Sequence, residues 1–74
     1  MSSLPIISGR ELVAALNKIG FTEKRQTGSH IILRRDFPFS QTVVPDHKAL
    51  DRGTLRAILR QADISTAELE RLLS

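Results

Sequence analysis

The chain has 74 residues, 41% of them hydrophobic and 26% charged, with eleven Lys and Arg against eight Asp and Glu, a net charge of +3 and no cysteine. That length fits a single domain, residues 1–74, with a thin core burying roughly 60% of its unfolded surface; the composition is that of an ordinary globular chain. A disulfide framework and any Cys-based zinc site are excluded. No apolar run approaches the ~20 residues of a membrane span, and Met1-Ser2-Ser3-Leu4-Pro5 has no charged region leading into an apolar stretch, so neither a signal peptide nor membrane contact is expected and the expected location is cytoplasmic.

Residues 1–7 carry no periodic pattern and are expected to be flexible or extended. Ser8-Gly9-Arg10-Glu11 is a capping box, a Ser at the N-cap with a Glu three residues on. Leu12, Val13, Leu16 and Ile19 follow at helical spacing and Gly20 stands where a left-handed C-cap belongs, which predicts a first helix over Gly9 to Ile19. Phe21 to Gln26 reads as extended, Thr27-Gly28 as a turn, and His30 to Arg35, rich in β-branched residues, as the clearest strand. Asp36-Phe37-Pro38-Phe39-Ser40 reads as a second connection and Gln41 to Val44 as a third strand ended by Pro45. Short links between neighbouring strands imply an antiparallel meander.

Beyond the loop Asp46 to Leu50, Asp51 is placed to cap a second helix, with Leu50 and Leu55 at the positions of a hydrophobic staple. Leu55, Ile58, Leu59 and Ala62 form its buried stripe. Ser65 or Thr66 opens a short third helix carrying Leu69, Leu72 and Leu73. The expected class is α+β, in the order α-β-β-β-α with a short C-terminal helix. Helices cover one face of a three-stranded antiparallel sheet and the other face stays open.

His30 and His47 are the two histidines. Strand alternation puts Ile31 and Leu33 on the covered face and His30, Ile32 and Arg34 on the open one. A histidine at the start of a strand, just after a tight glycine turn, is exposed but held, which suits a general acid or base. Cleaving RNA takes a group that accepts the proton of the 2′-hydroxyl and cations that steady the phosphorane, and a histidine among arginines supplies both without a metal. From spacing alone, an idle surface histidine is the favoured reading, since histidines at strand ends are common. Two histidines are too few ligands for a metal site, and neither metal nor cofactor is expected.

Arg52, Arg56 and Arg60 recur at i, i+4 and i+8, opposite the apolar stripe of the second helix. No acid at helical spacing neutralises them between Arg52 and Arg60, which favours a phosphate footprint over a merely solvated face. Lys24, Arg25, Arg34 and Arg35 add basic charge on the strands. Phe37 and Phe39 flank a proline at a turn; such aromatics as a rule pin a loop onto the core, and less often stack on unpaired bases.

Taken together, Ser8-Gly9-x-Glu11, Gly20-Phe21, Arg25-Gln26-x-Gly28-Ser29-His30, Val44-Pro45-x-His47 and Gly53-Thr54-Leu55-Arg56-x-Ile58-Leu59 resemble the HicA (YcfA-like) family of small mRNA-cleaving toxins from bacterial toxin–antitoxin pairs. The resemblance runs from about Pro5 to Leu73. It implies a fold like the double-stranded-RNA-binding domain, metal-independent endoribonuclease activity on mRNA in the cytoplasm, and inhibition by a HicB-type antitoxin. It maps the essential histidine onto His30 and a second recurrent histidine, an accessory candidate, onto His47. On this reading Gly28 permits the turn and Ser29 positions the backbone or phosphate, while Lys24, Arg25, Arg34, Arg52, Arg56 and Arg60 hold RNA. Two departures stand out: relatives have a shorter polar turn where this chain has Phe37-Pro38-Phe39, and many have glycine where it has Asp63. A non-catalytic RNA-binding module is the alternative, and an interaction protein pairing through its open sheet face, with Ile32 exposed, is a third.

Overall fold

In the computed structural model, which describes residues 4–74, the order is α1 (Gly9–Asn17), β1 (Thr22–Thr27), β2 (His30–Asp36), β3 (Phe39–Pro45), α2 (Arg52–Ala62) and α3 (Thr66–Leu73). The strands make one antiparallel sheet in the order β1-β2-β3, and the helices pack on one of its faces, the α+β arrangement the sequence implies. Of the leading segment, residues 1–3 lie outside the described residues. From Leu4 on it is anchored: Leu4 packs against the core, Ile7 is buried, and the Ile7 carbonyl accepts from the Leu50 N–H at 2.8 Å. No helix among the described residues is long and apolar enough to cross a membrane.

Helix starts follow from side chains that satisfy the first free N–H groups. Ser8 and Glu11 close a reciprocal capping box on α1, and Ser65 and Glu68 do the same on α3. α1 ends near Asn17 rather than Ile19, and the chain then tightens through Gly20 (φ +97°), with the Phe21 N–H on the Leu16 carbonyl and the Gly20 N–H on that of Asn17. This pair of bonds is a Schellman ending. α2 ends the same way, Ile64 N–H to Leu59 and Asp63 N–H to Arg60, with Asp63 in the left-handed position at φ 58°. Asp is one of the few non-glycine residues that tolerates this conformation, which is how the chain keeps the turn without the glycine.

The core gathers Leu12, Leu16, Phe21, Ile31, Leu33, Val44, Leu55, Ile58 and Leu69, each at most 2% exposed, from helices and sheet alike. Leu50 and Leu55 are both buried, as a staple across the start of α2 requires. The one buried polar side chain among the described residues, Thr42, donates its hydroxyl to the Gln61 amide oxygen, and Ser40 donates to the Gln61 carbonyl. These bonds fix α2 alongside β3, its C-terminal end near the start of that strand.

Asp51 caps α2 by accepting from the Thr54 N–H at 2.7 Å. That bond, then the Thr54 side chain and, more weakly, the charge of His47, hold its carboxyl below the ordinary value of 3.8. A carboxylate depressed by folding contributes stability that is fully present above its unfolded pKa and lost as pH falls through the folded one. The melting temperature of Asp51→Ala therefore falls below that of the native chain at pH 7, and the gap closes as pH is lowered from about 4. Thermal melts across that range check it.

Candidate active site

The hairpin joining β1 to β2 is a two-residue turn, Gly28-Ser29, closed by the paired residues Thr27 and His30. Gly28 has φ +58° while Ser29 stays at negative φ, the sign pattern of a type II′ turn, which calls for glycine at the first central position. His30 is exposed and begins β2, flanked by Thr27 on one side and Pro45 on the other.

Residues paired across an antiparallel sheet share a face. Ile31 and Leu33 are fully buried under the helices, so His30, Ile32 and Arg34 lie on the open face. With them stand Thr27 and Pro45, then Arg25 and Val43, then Thr22 and Gln41. Arg25 reaches this face by plain alternation from the turn, since Thr27 with His30, Gln26 with Ile31 and Arg25 with Ile32 pair in register. The β1 register shifts beyond it, between Glu23 and Arg25, where Lys24 is the extra residue of a bulge. The bulge sets Glu23 opposite Leu33 on the helix side, where unbroken alternation from Arg25 would have put it on the open face. Arg25 stands opposite Ile32, one row from His30 on the same face.

Arg34 shares the face and donates through Nε to Asp36 at 3.1 Å. The pair is exposed and costs little to break. Arg35 does not add to the basic face. Its guanidinium stands 4.7 Å from the centre of the Phe21 ring, and its Nε donates to the Pro38 carbonyl. His47 follows Pro45, the strand partner of His30, by two residues and is exposed; its carbonyl accepts from the Gly9 N–H at 2.9 Å. Arg52, Arg56 and Arg60 are exposed on α2, and none has a carboxylate partner among the described residues. They belong to the helix layer rather than to the open face. Gln61, near the C-terminal end of α2, bonds Ser40 and Thr42 at the start of β3, so Arg52 opens the helix toward the other end of that strand, and Arg60 lies about 12 Å further along the helix. The site residues thus form two groups, one around His30 and one along α2.

Phe37 and Phe39 do not pin a loop. They are 90% and 70% exposed, because the connection is only Phe37-Pro38 and β2 and β3 run on to Asp36 and Phe39. A two-residue link cannot fold back over the core.

A cluster not anticipated from the sequence lies behind the Gly28-Ser29 turn. Arg10 donates to Gln26 Oε1 (2.7 Å), to Asp46 Oδ2 (3.3 Å) and to Glu23 Oε1 (3.3 Å). Gln26 Nε2 donates to the Gly28 carbonyl (3.1 Å) and to Asp46 Oδ2 (3.2 Å), and the Asp46 N–H donates to the Ser29 carbonyl (2.6 Å). Gln26 stands beside the glycine turn in the sequence, and that adjacency is the one available hint of this role.

The blocks that build this site are also those a family shares. A model of the HicA toxin of bacterial toxin–antitoxin pairs matches residues 9–64, taking in α1, the sheet, α2 and all the candidate site residues. The chain belongs to the HicA toxin family. Membership makes it the toxin of a toxin–antitoxin pair, with an antitoxin as partner, and places its chemistry with the nucleases. The HicA match stops short of α3, a narrower span than the resemblance traced from Pro5 to Leu73. No curated protein matches the chain.

Proposed function

We propose that this toxin is a metal-independent endoribonuclease acting on mRNA, with His30 as the group that moves the proton and a HicB-type protein as its antitoxin. The observation that carries the reading is an exposed histidine held on a type II′ turn, with Arg25 one row away on the same face. In this chemistry the neutral imidazole takes the proton of a 2′-hydroxyl and the 2′-oxygen bonds to phosphorus. The bond from phosphorus to the 5′-oxygen then breaks, and that oxygen leaves with a proton from an acid or from water. The products are a 2′,3′-cyclic phosphate and a 5′-hydroxyl. Arg25 and Arg34 are the cations placed to stabilise the charge that grows on the phosphorane oxygens.

Ser29 presents its backbone to the same phosphate, and Lys24 extends the basic edge at the bulge. Incubating the protein with single-stranded RNA in EDTA separates this reading from a binding module. Cleavage supports the enzyme; binding without cleavage, unchanged by His30→Ala, sinks it.

The arginines of α2 supply affinity rather than chemistry. Arg56→Ala and Arg60→Ala each weaken RNA binding at low salt and reduce the slope of log K against log salt by about one, because each phosphate the protein no longer neutralises keeps its counterion. Binding titrations at several salt concentrations measure it, and an unchanged slope returns these residues to a solvated face.

A further inference from the structure

We propose that Gln26 is a positioning residue for His30, acting through the Gly28-Ser29 turn. The inference rests on the reading of His30 as the catalytic histidine and adds what holds it in place. A hairpin tip is where strand pairing ends, so it frays unless something outside the hairpin ties it down. Here both turn carbonyls are tied, that of Gly28 by the Gln26 amide and that of Ser29 by the Asp46 N–H.

The Gln26 amide is fixed in one orientation by its neighbours. Its oxygen accepts from Arg10 and its nitrogen donates to two acceptors, the Gly28 carbonyl and the Asp46 carboxylate. Turned over, it would set an oxygen against two oxygens and an NH2 against a guanidinium. Four segments meet at this one group: α1 through Arg10, β1 through Gln26 itself, the turn, and the chain leaving β3 through Asp46. None of these side chains reaches the open face, since Glu23 and Gln26 pair with Leu33 and Ile31 on the helix side. The cluster therefore works on the turn from behind, while His30 faces the substrate.

Gln26→Glu tests this with almost no change of shape. The carboxylate still accepts from Arg10, but it cannot donate to Gly28 and it stands against Asp46. Three quantities are compared with the native chain and with Gln26→Ala: kcat and KM on single-stranded RNA, the melting temperature, and 15N relaxation at Gly28, Ser29 and His30. For both variants kcat falls about 10- to 100-fold, the scale of a small misplacement of a reacting group, with KM within about 3-fold. Backbone order at the turn drops from about 0.85 to below about 0.6. Asp46→Asn, whose amide oxygen still accepts from Gln26, keeps the turn ordered and most of the activity.

Native turn order or native kcat in Gln26→Glu overturns the proposal, as does a loss explained by unfolding at the assay temperature. His30→Ala run alongside separates the two readings. Full activity there removes the catalytic histidine and leaves Gln26 nothing to position. Lost activity there, with Gln26→Glu fully active, overturns the positioning role alone.

Discussion

Gly9→Ala is expected to lower the melting temperature by roughly 12–24 °C, more than other methyl-sized changes on this chain. Gly9 is buried at the start of α1, and a Cβ there would run into the Pro45 carbonyl oxygen, with the Pro45 carbonyl carbon and Asp46 Cα close behind. These are backbone atoms, so no side chain can swing aside. Overpacking typically costs about 1–3 kcal/mol, and the upper end applies where backbone must move. A loss of 3 kcal/mol is a large share of the stability of so small a domain, and each kcal/mol is worth about 4–8 °C at this size. The same displacement would pull the His47 carbonyl off the Gly9 N–H and carry Asp46 away from Ser29. Gly28→Ala is the contrast: a methyl there meets open space and bears only the strain of φ +58°, about 1–2 kcal/mol. Melts of the two variants check the ranking, and a Gly9→Ala protein within ~4 °C of the native chain contradicts it.

His30→Ala is expected to lower the rate of RNA cleavage about 10²- to 10⁴-fold, the usual contribution of a general acid or base. Its other effects should be small. The side chain is exposed, and its strand pairing is made by backbone groups that alanine keeps. The melting temperature should stay within a few degrees and RNA affinity within about 3-fold, since the phosphates are held by arginines. Loss of cleavage with binding intact is the signature of a catalytic role. Single-turnover cleavage beside equilibrium binding measures it; a decrease of less than tenfold moves the proton transfer elsewhere.

The features legible in the sequence are those set by near neighbours. Ser8 and Glu11 announce the start of α1 because their bonds span three residues, and Ile31 and Leu33 reveal the covered face of β2 because strand alternation is local. His30 on the open face follows from the same alternation. The bulge at Lys24 was hidden because every residue of β1 is exposed, so no apolar alternation marks where the register slips. The cluster of Arg10, Gln26 and Asp46 was hidden for a different reason. Its members lie 16, 20 and 36 residues apart, and only the assembled fold brings them behind one turn. Phe37 and Phe39 misled because an aromatic beside a proline reads the same whether the link is two residues or five. Asp63 shows the converse: its backbone does what glycine does elsewhere, and one residue type conceals an unchanged turn.

The most direct test of the central claim, histidine proton transfer at a 2′-hydroxyl, is single-turnover cleavage in EDTA of an all-ribose oligonucleotide. It is compared with the same sequence carrying 2′-deoxy sugars throughout. The expected result is cleavage of the ribose strand alone, leaving a 2′,3′-cyclic phosphate. Cleavage of the deoxy strand, or activity that disappears in EDTA and returns with a divalent cation, would contradict it.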